Sequence, residues 1–178
     1  MLLRHAAMKL LPVLGIFAAS CAVCAAESLV FREVFAGGKA DPGCRIHCSS
    51  GAEIVFGDGS AEIRADLNTF AHISRPLGTD DLTVSAKIKP SSPAGVTWCT
   101  SVFLVWSGGN WCQMGVISAP NGGPCFYAVE TKNGATAETY LTACDLANWH
   151  YVRIQLGKDC IRYYAGDDGE TWKCLRVI

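Results

Sequence analysis

Apolar and polar residues alternate with period two in one segment after another, a pattern that few folds other than antiparallel sheet can use. In "AEIRADL", Ala61, Ile63, Ala65 and Leu67 fall on one side and Glu62, Arg64 and Asp66 on the other. "LTVSAKIK" sets Leu82, Val84, Ala86 and Ile88 against Thr83, Ser85, Lys87 and Lys89. "HYVRIQL" sets Val152, Ile154 and Leu156 against Tyr151, Arg153 and Gln155. Each reads as an antiparallel strand with one buried and one wet face. "SVFLVW" differs, because Val102 to Trp106 is a continuous apolar run, which predicts a strand covered on both faces at the centre of a sandwich.

The stretches between these segments carry turn chemistry: "FGDGS" at 56–60, "SGGN" at 107–110, "PNGGP" at 120–124, "KNGA" at 132–135 and "GKD" at 157–159. Gly, Asn and Asp accept a positive φ at little cost, so three of these turns predict hairpins around SGGN, KNGA and GKD. No amphipathic 3.6-residue period and no internal repeat accompanies them. Many short strands at regular spacing predict an all-β fold, an antiparallel β-sandwich formed as one domain over 27–178.

Residues 1–26 are excluded from that domain. "MLLRHAAMKLLPVLGIFAASCAVCAAES" has a weakly basic start at Arg4 and Lys9, then an apolar run and small residues, which is a secretory signal peptide. A secreted protein, extracellular or periplasmic, is the expectation; "AASC" at Ala18 to Cys21 leaves open a lipoprotein anchor at Cys21. After leader removal no stretch is long and apolar enough to span a membrane. The formal net charge of −1 argues against a nucleic-acid partner. Outside the leader, Cys44, Cys48, Cys99, Cys112, Cys125, Cys144, Cys160 and Cys174 are even in number, and export to an oxidising compartment predicts disulfides of undetermined pairing. "CRIHC" at Cys44 to Cys48 is a weaker candidate for metal ligation.

From about Ile73 the order of segments resembles the concanavalin A-like, laminin-G-like jelly-roll domains found at the C-terminus of bacterial β-xylosidases and in related secreted proteins of uncharacterised function. The resemblance is carried by "ISRPLGTDDLTVSAKIKP", by "AGVTWCTSVFLVWSGGNWCQMGVI" and, most specifically, by "NWHYVRIQLGKDCIRYYAGDDGETWKCL". It implies a jelly roll, a carbohydrate-binding or cell-surface role, and a further strand after the last tryptophan, which a chain stopping at Ile178 would lack or take from a partner. Calcium, common in laminin-G-like domains, would need oxygens from Asp58, Asp80 or Asp81; no other cofactor is implied. "AGDDGETW" also looks like the Asp-box of sialidases, with Asp167, Gly169, Thr171 and Trp172 in place and Ala165 where the pattern has serine. In that turn the Asp carboxylate accepts backbone N–H groups, Gly takes the left-handed conformation and Trp anchors the returning strand in the core.

Candidate chemistry is sparse. Glycoside hydrolysis needs two carboxyl groups about 5 to 9.5 Å apart across a cleft, and the nearest approach, Glu62 and Asp66 with Arg64 between them, reads as a solvated charge ladder. His47, His72 and His150 adjoin no nucleophile motif, and His150 shares the inward parity of Val152. What remains are flat aromatics that could engage sugar C–H faces or a protein surface: Trp98, Trp106, Trp111, Tyr127 and Tyr140, with Trp106 and Trp111 flanking one turn and expected on one side of the hairpin. Core packing is the alternative reading of the same residues. The function expected is a non-catalytic module for a polysaccharide, a glycan or a protein, with a glycoside hydrolase or a partner-completed structural domain as alternatives.

Overall fold

The computed structural model describes residues 33–65, 69–76, 82–90, 100–119 and 122–178. The expected signal peptide, Cys21, Trp98, Cys99, Asp80 and Asp81 lie outside them. The described chain is all-β and antiparallel, in twelve strands. It divides into two units, 1–75 and 76–178, and the single domain expected over 27–178 spans both.

The first unit holds two ribbons. Strand β1 (Arg45–Cys48) pairs with β4 (Ala71–Ser74), and β2 (Glu53–Gly57) with β3 (Ser60–Arg64) around the Asp58-Gly59 turn. A two-stranded ribbon has no facing sheet of its own, and alternation does not then imply burial: Ile63, expected inward, is exposed. Beside it Arg64 clasps Glu53 and Glu62, both at 3.0 Å; Asp66, the other acid of the expected charge ladder, lies outside the described residues.

The second unit is a β-sandwich. One sheet has the order β12–β11–β10–β5, from β5 (Thr83–Ile88), β10 (His150–Leu156), β11 (Ile161–Gly166) and β12 (Lys173–Val177). The other runs β6–β7–β8–β9, from β6 (Thr100–Ser107), β7 (Asn110–Ala119), β8 (Gly123–Lys132) and β9 (Ala135–Ala143). All three hairpins form where the turns predict them, and in the KNGA turn Asn133 and Gly134 both take positive φ, 52° and 80°, which suits the right-handed twist of the flanking strands. Between the sheets Val152 and Ile154 meet Met114, Val116, Phe126 and Tyr163 in the main core. A smaller cluster, Ile117, Cys125, Tyr127 and Val129, lies on the other face of β7 and β8.

Three expectations need correction. The apolar run of β6 does not lie at the sandwich centre: β6 is an outer strand, and Phe103, Val105 and Trp106 are exposed, while β7 and β8 take the central places. A strand does follow Trp172, since β12 pairs with β11, so the chain supplies that strand itself. Disulfides are not formed among the described residues, whose seven cysteines are all unpaired. A disulfide needs Cα atoms within about 7 Å and converging Cβ vectors, whereas these cysteines are spread over strands and faces. Even the neighbours Cys125 and Cys144 remain free, Cys125 packing in the smaller cluster and Cys144 against the main core.

Across the core, Arg176 on β12 reaches Glu130 on β8, Nε to Oε1 at 3.1 Å, so an ion pair ties the two sheets. Tyr163 is fully buried beside this pair, its hydroxyl near Glu130 and Cys112 but outside good hydrogen-bond geometry with either. Burial first, then Cys112 and Glu130, push its ionisation upward.

Candidate functional site

The alternation that buries Val152, Ile154 and Leu156 turns the intervening residues of β10 outward, and with them the matching residues of β5 and β11. On that outer face Lys87 pairs across strands with Tyr151, Ser85 with Arg153, and Arg153 with Tyr164. Trp149, just before β10, is 48% exposed. The Lys87 ammonium lies 5.4 Å from the Trp149 ring centroid and 5.3 Å from that of Tyr151. The Arg153 guanidinium stacks over Trp172 at 4.0 Å, and its Nε donates to Ser85 Oγ at 3.0 Å. Tyr164 donates from its hydroxyl to Gln155 Oε1 at 3.0 Å. Aromatic faces and cations thus alternate across one regular surface, each held by a neighbour, an arrangement that stacking on guanidinium and ammonium groups favours.

One end of this surface abuts the turn after β11. Gly169 there has φ of +80°, and a Cβ in its place would sit 2.7 Å from Cε1 of Tyr151, so both backbone conformation and packing demand glycine. The carboxylate that closes the turn is Asp168, not the expected Asp167: Asp168 Oδ1 accepts the amides of Glu170 at 2.8 Å and Thr171 at 2.7 Å. Those two N–H groups, Thr171's first, hold the Asp168 carboxyl below the usual range. Nor does Trp172 anchor the turn in the core; it is half-buried on the outer face beneath Arg153. Asp167 instead borders a groove of about 380 Å³ that includes Phe126, Thr142, Lys173 and Leu175.

The four described aromatics among those singled out from the sequence, Trp106, Trp111, Tyr127 and Tyr140, do not make one site; Trp98 lies outside the described residues. Tyr127 and Tyr140 are cross-strand partners with ring centroids 5.3 Å apart, but Tyr127 is only 6% exposed while Tyr140 stands open. Trp111 is in register with Val105 and contacts Phe103, and Trp106 falls at the register shift of the hairpin, so the two tryptophans are not a cross-strand pair. Of the calcium candidates, Asp58 accepts the Gly37 amide at 3.3 Å. Among the described residues no three His, Cys, Asp or Glu side chains gather around a metal-sized site. His150 is buried as its parity predicts, its Nε2 2.5 Å from the Asp145 carbonyl and its ring edge-on to Phe126. His47 and His72 are cross-strand partners whose rings stack at 5.2 Å.

Trp149, Tyr151, Arg153 and Lys87 were not among the candidates, yet the signal was present. Once "HYVRIQL" is read as a strand with Val152 inward, positions 149, 151 and 153 must share the outward face as Trp, Tyr and Arg. What the sequence cannot supply is which strand lies alongside, and it is β5 that brings Lys87.

No protein-family model matches the chain, and no curated protein matches it. One solved structure, a functionally unknown protein from Saccharomyces cerevisiae, is similar at 19% identity with a TM-score of 0.46, over 54% of this chain and 50% of that one. The chain therefore spans about half the length of that protein, and a likeness this slight carries no argument about fold or function.

Proposed function

We propose that the chain is a secreted, non-catalytic carbohydrate-binding module, with a concanavalin A-like sandwich whose ligand lies along the outer face of the β12–β11–β10–β5 sheet. The supporting observation is the surface formed by Trp149, Tyr151 and Trp172 with Lys87 and Arg153 between them. Sugars offer flat C–H faces edged by hydroxyls, and aromatic rings with polar groups beside them complement both. This moves the binding surface from the opposite sheet, where Tyr127 is buried, to the sheet whose aromatics are held by cations. The carboxylates favour binding over hydrolysis: Glu53 and Glu62 are engaged by Arg64, Glu130 by Arg176, and Asp167 and Asp168 are adjacent on one turn rather than opposed across a cleft.

Affinity electrophoresis of the folded protein through gels containing a panel of plant, fungal and bacterial polysaccharides tests this reading. At least one polysaccharide should retard the protein, and Trp149→Ala should weaken that retardation at least tenfold without altering the far-UV circular dichroism or the cooperativity of thermal unfolding. Migration unaffected by every polysaccharide, or a Trp149→Ala variant that binds as well as the parent, overturns it.

A further inference from the structure

The cations on this face are its most specific feature. Among the described residues the basic members of ion pairs are Arg64, Arg75 and Arg176, none of which lies on the outer face of the β12–β11–β10–β5 sheet. Lys87, Arg153 and Arg162 do lie there, in a chain whose formal net charge is −1. Arg153 is the best prepared of the three. Stacking over Trp172 fixes the plane of its guanidinium, the bond from Nε to Ser85 fixes its rotation, and neither terminal nitrogen has a partner among the described residues. A guanidinium held in this way presents two parallel N–H groups, the complement of a carboxylate. Arg162, opposite Gln155, lies two residues further along, about 7 Å at the rise of a strand.

We propose that this face binds an acidic polysaccharide, one bearing uronate carboxylates, with Arg153 the residue that selects for the charge. The proposal rests on the carbohydrate reading above and adds the class of sugar. The aromatic faces of Trp149 and Tyr151 take the sugar rings, the Arg153 fork takes a carboxylate, and Arg162 and Lys87 flank it. Acidic residues occur in the turns at both ends of the surface, Asp167, Asp168 and Glu170 in the turn that Gly169 seats against Tyr151 and Asp159 in the turn between β10 and β11, while the strands between them present the cations.

Polygalacturonate, alginate and hyaluronate, each paired with its carboxyl-esterified form, provide the test, because esterification removes the charge and leaves the backbone. With the intact protein, at least one uronan should bind, its affinity should fall tenfold or more on esterification, and the retained binding should weaken as salt rises from about 50 to 300 mM. Arg153→Gln should lose most of the preference for the free acid, and Arg153→Lys, which keeps charge but not the fork, should lose an intermediate share. Equal binding of a uronan and its ester, or binding to neutral glycans only, overturns the uronate proposal and leaves the carbohydrate reading standing. Equal binding of polyglutamate shows that charge is read without sugar and overturns the proposal, as does failure to bind any glycan, which overturns both readings. The esterification comparison needs no variant, so it decides the matter even if a substitution at Arg153 disturbs folding.

Discussion

At the scale of single residues, the turn at 166–172 separates two adjacent acids that look alike in sequence. Asp168 accepts two backbone amides and Asp167 none among the described residues. Asp168→Ala should therefore lower the melting temperature measurably more than Asp167→Ala, as thermal unfolding of the two variants would show. Because the folded-state value of Asp168 is depressed, its stabilisation is present above the ordinary carboxylate range and is lost as pH falls through the folded value; the difference between the two variants should vanish in acid. Gly169→Ala meets both the positive φ and the Tyr151 ring, and should cost about 1–3 kcal/mol in chemical denaturation. Tyr163 makes the opposite case. Its buried hydroxyl lies near Glu130 and Cys112 without good hydrogen-bond geometry to either, so Tyr163→Phe should change stability by no more than about 1 kcal/mol in either direction, and a larger loss would show a working bond to Glu130. The turn's existence, its glycine and its role are all readable from "AGDDGETW"; which of two neighbouring carboxylates faces the amides is not, because that depends on where the backbone enters the turn.

At the scale of strands, period-two alternation proved a reliable guide where a facing sheet exists and a poor one where it does not. In β10 the buried and outward residues alternate without a break, while in β3 the same pattern leaves Ile63 exposed because its ribbon has no sheet opposite. An apolar run says only that water is avoided in sequence, and β6 shows that such a run can form an edge strand with Val105 exposed. Strand order is likewise invisible in the chain, and with it the neighbours that make the binding face: Lys87 and Tyr151 are 64 positions apart in sequence and opposite one another in the sheet. The packing of one sheet on the other creates the Arg176 and Glu130 pair, which no spacing rule would suggest. Its two side chains are 29% and 12% exposed, so removing one partner leaves a poorly solvated charge. Glu130→Ala should destabilise the protein by about 1–3 kcal/mol in urea unfolding, and Arg176→Ala in the Glu130→Ala background should cost little more.

For the molecule as a whole, the buried cysteines, together with Tyr163, make stability sensitive to alkali. An even count after a leader predicts disulfides, but pairing depends on three-dimensional placement, and the described cysteines remain thiols in different packing environments. Burial pushes the Cys112 thiol up to about 12 and the Cys144 thiol up to about 11, from an ordinary value of 9.0. In the unfolded chain both ionise as pH passes that ordinary value, whereas the folded core keeps them protonated. The stabilisation is thus complete below about pH 9 and is lost as pH rises toward the folded values, at up to about 1.4 kcal/mol per pH unit for Cys112 and less for Cys144, which water partly screens. Urea midpoints measured under reducing conditions at pH 7.5 and pH 10.5 should show that loss, and Cys112→Ala, although less stable at neutral pH through its cavity, should show a smaller decline between the two. An equal decline in parent and variant would place the alkaline sensitivity elsewhere. Alkylation at pH 8 should follow the same partition, rapid at exposed Cys48 and Cys174 and slow at buried Cys112 until denaturant opens the sandwich.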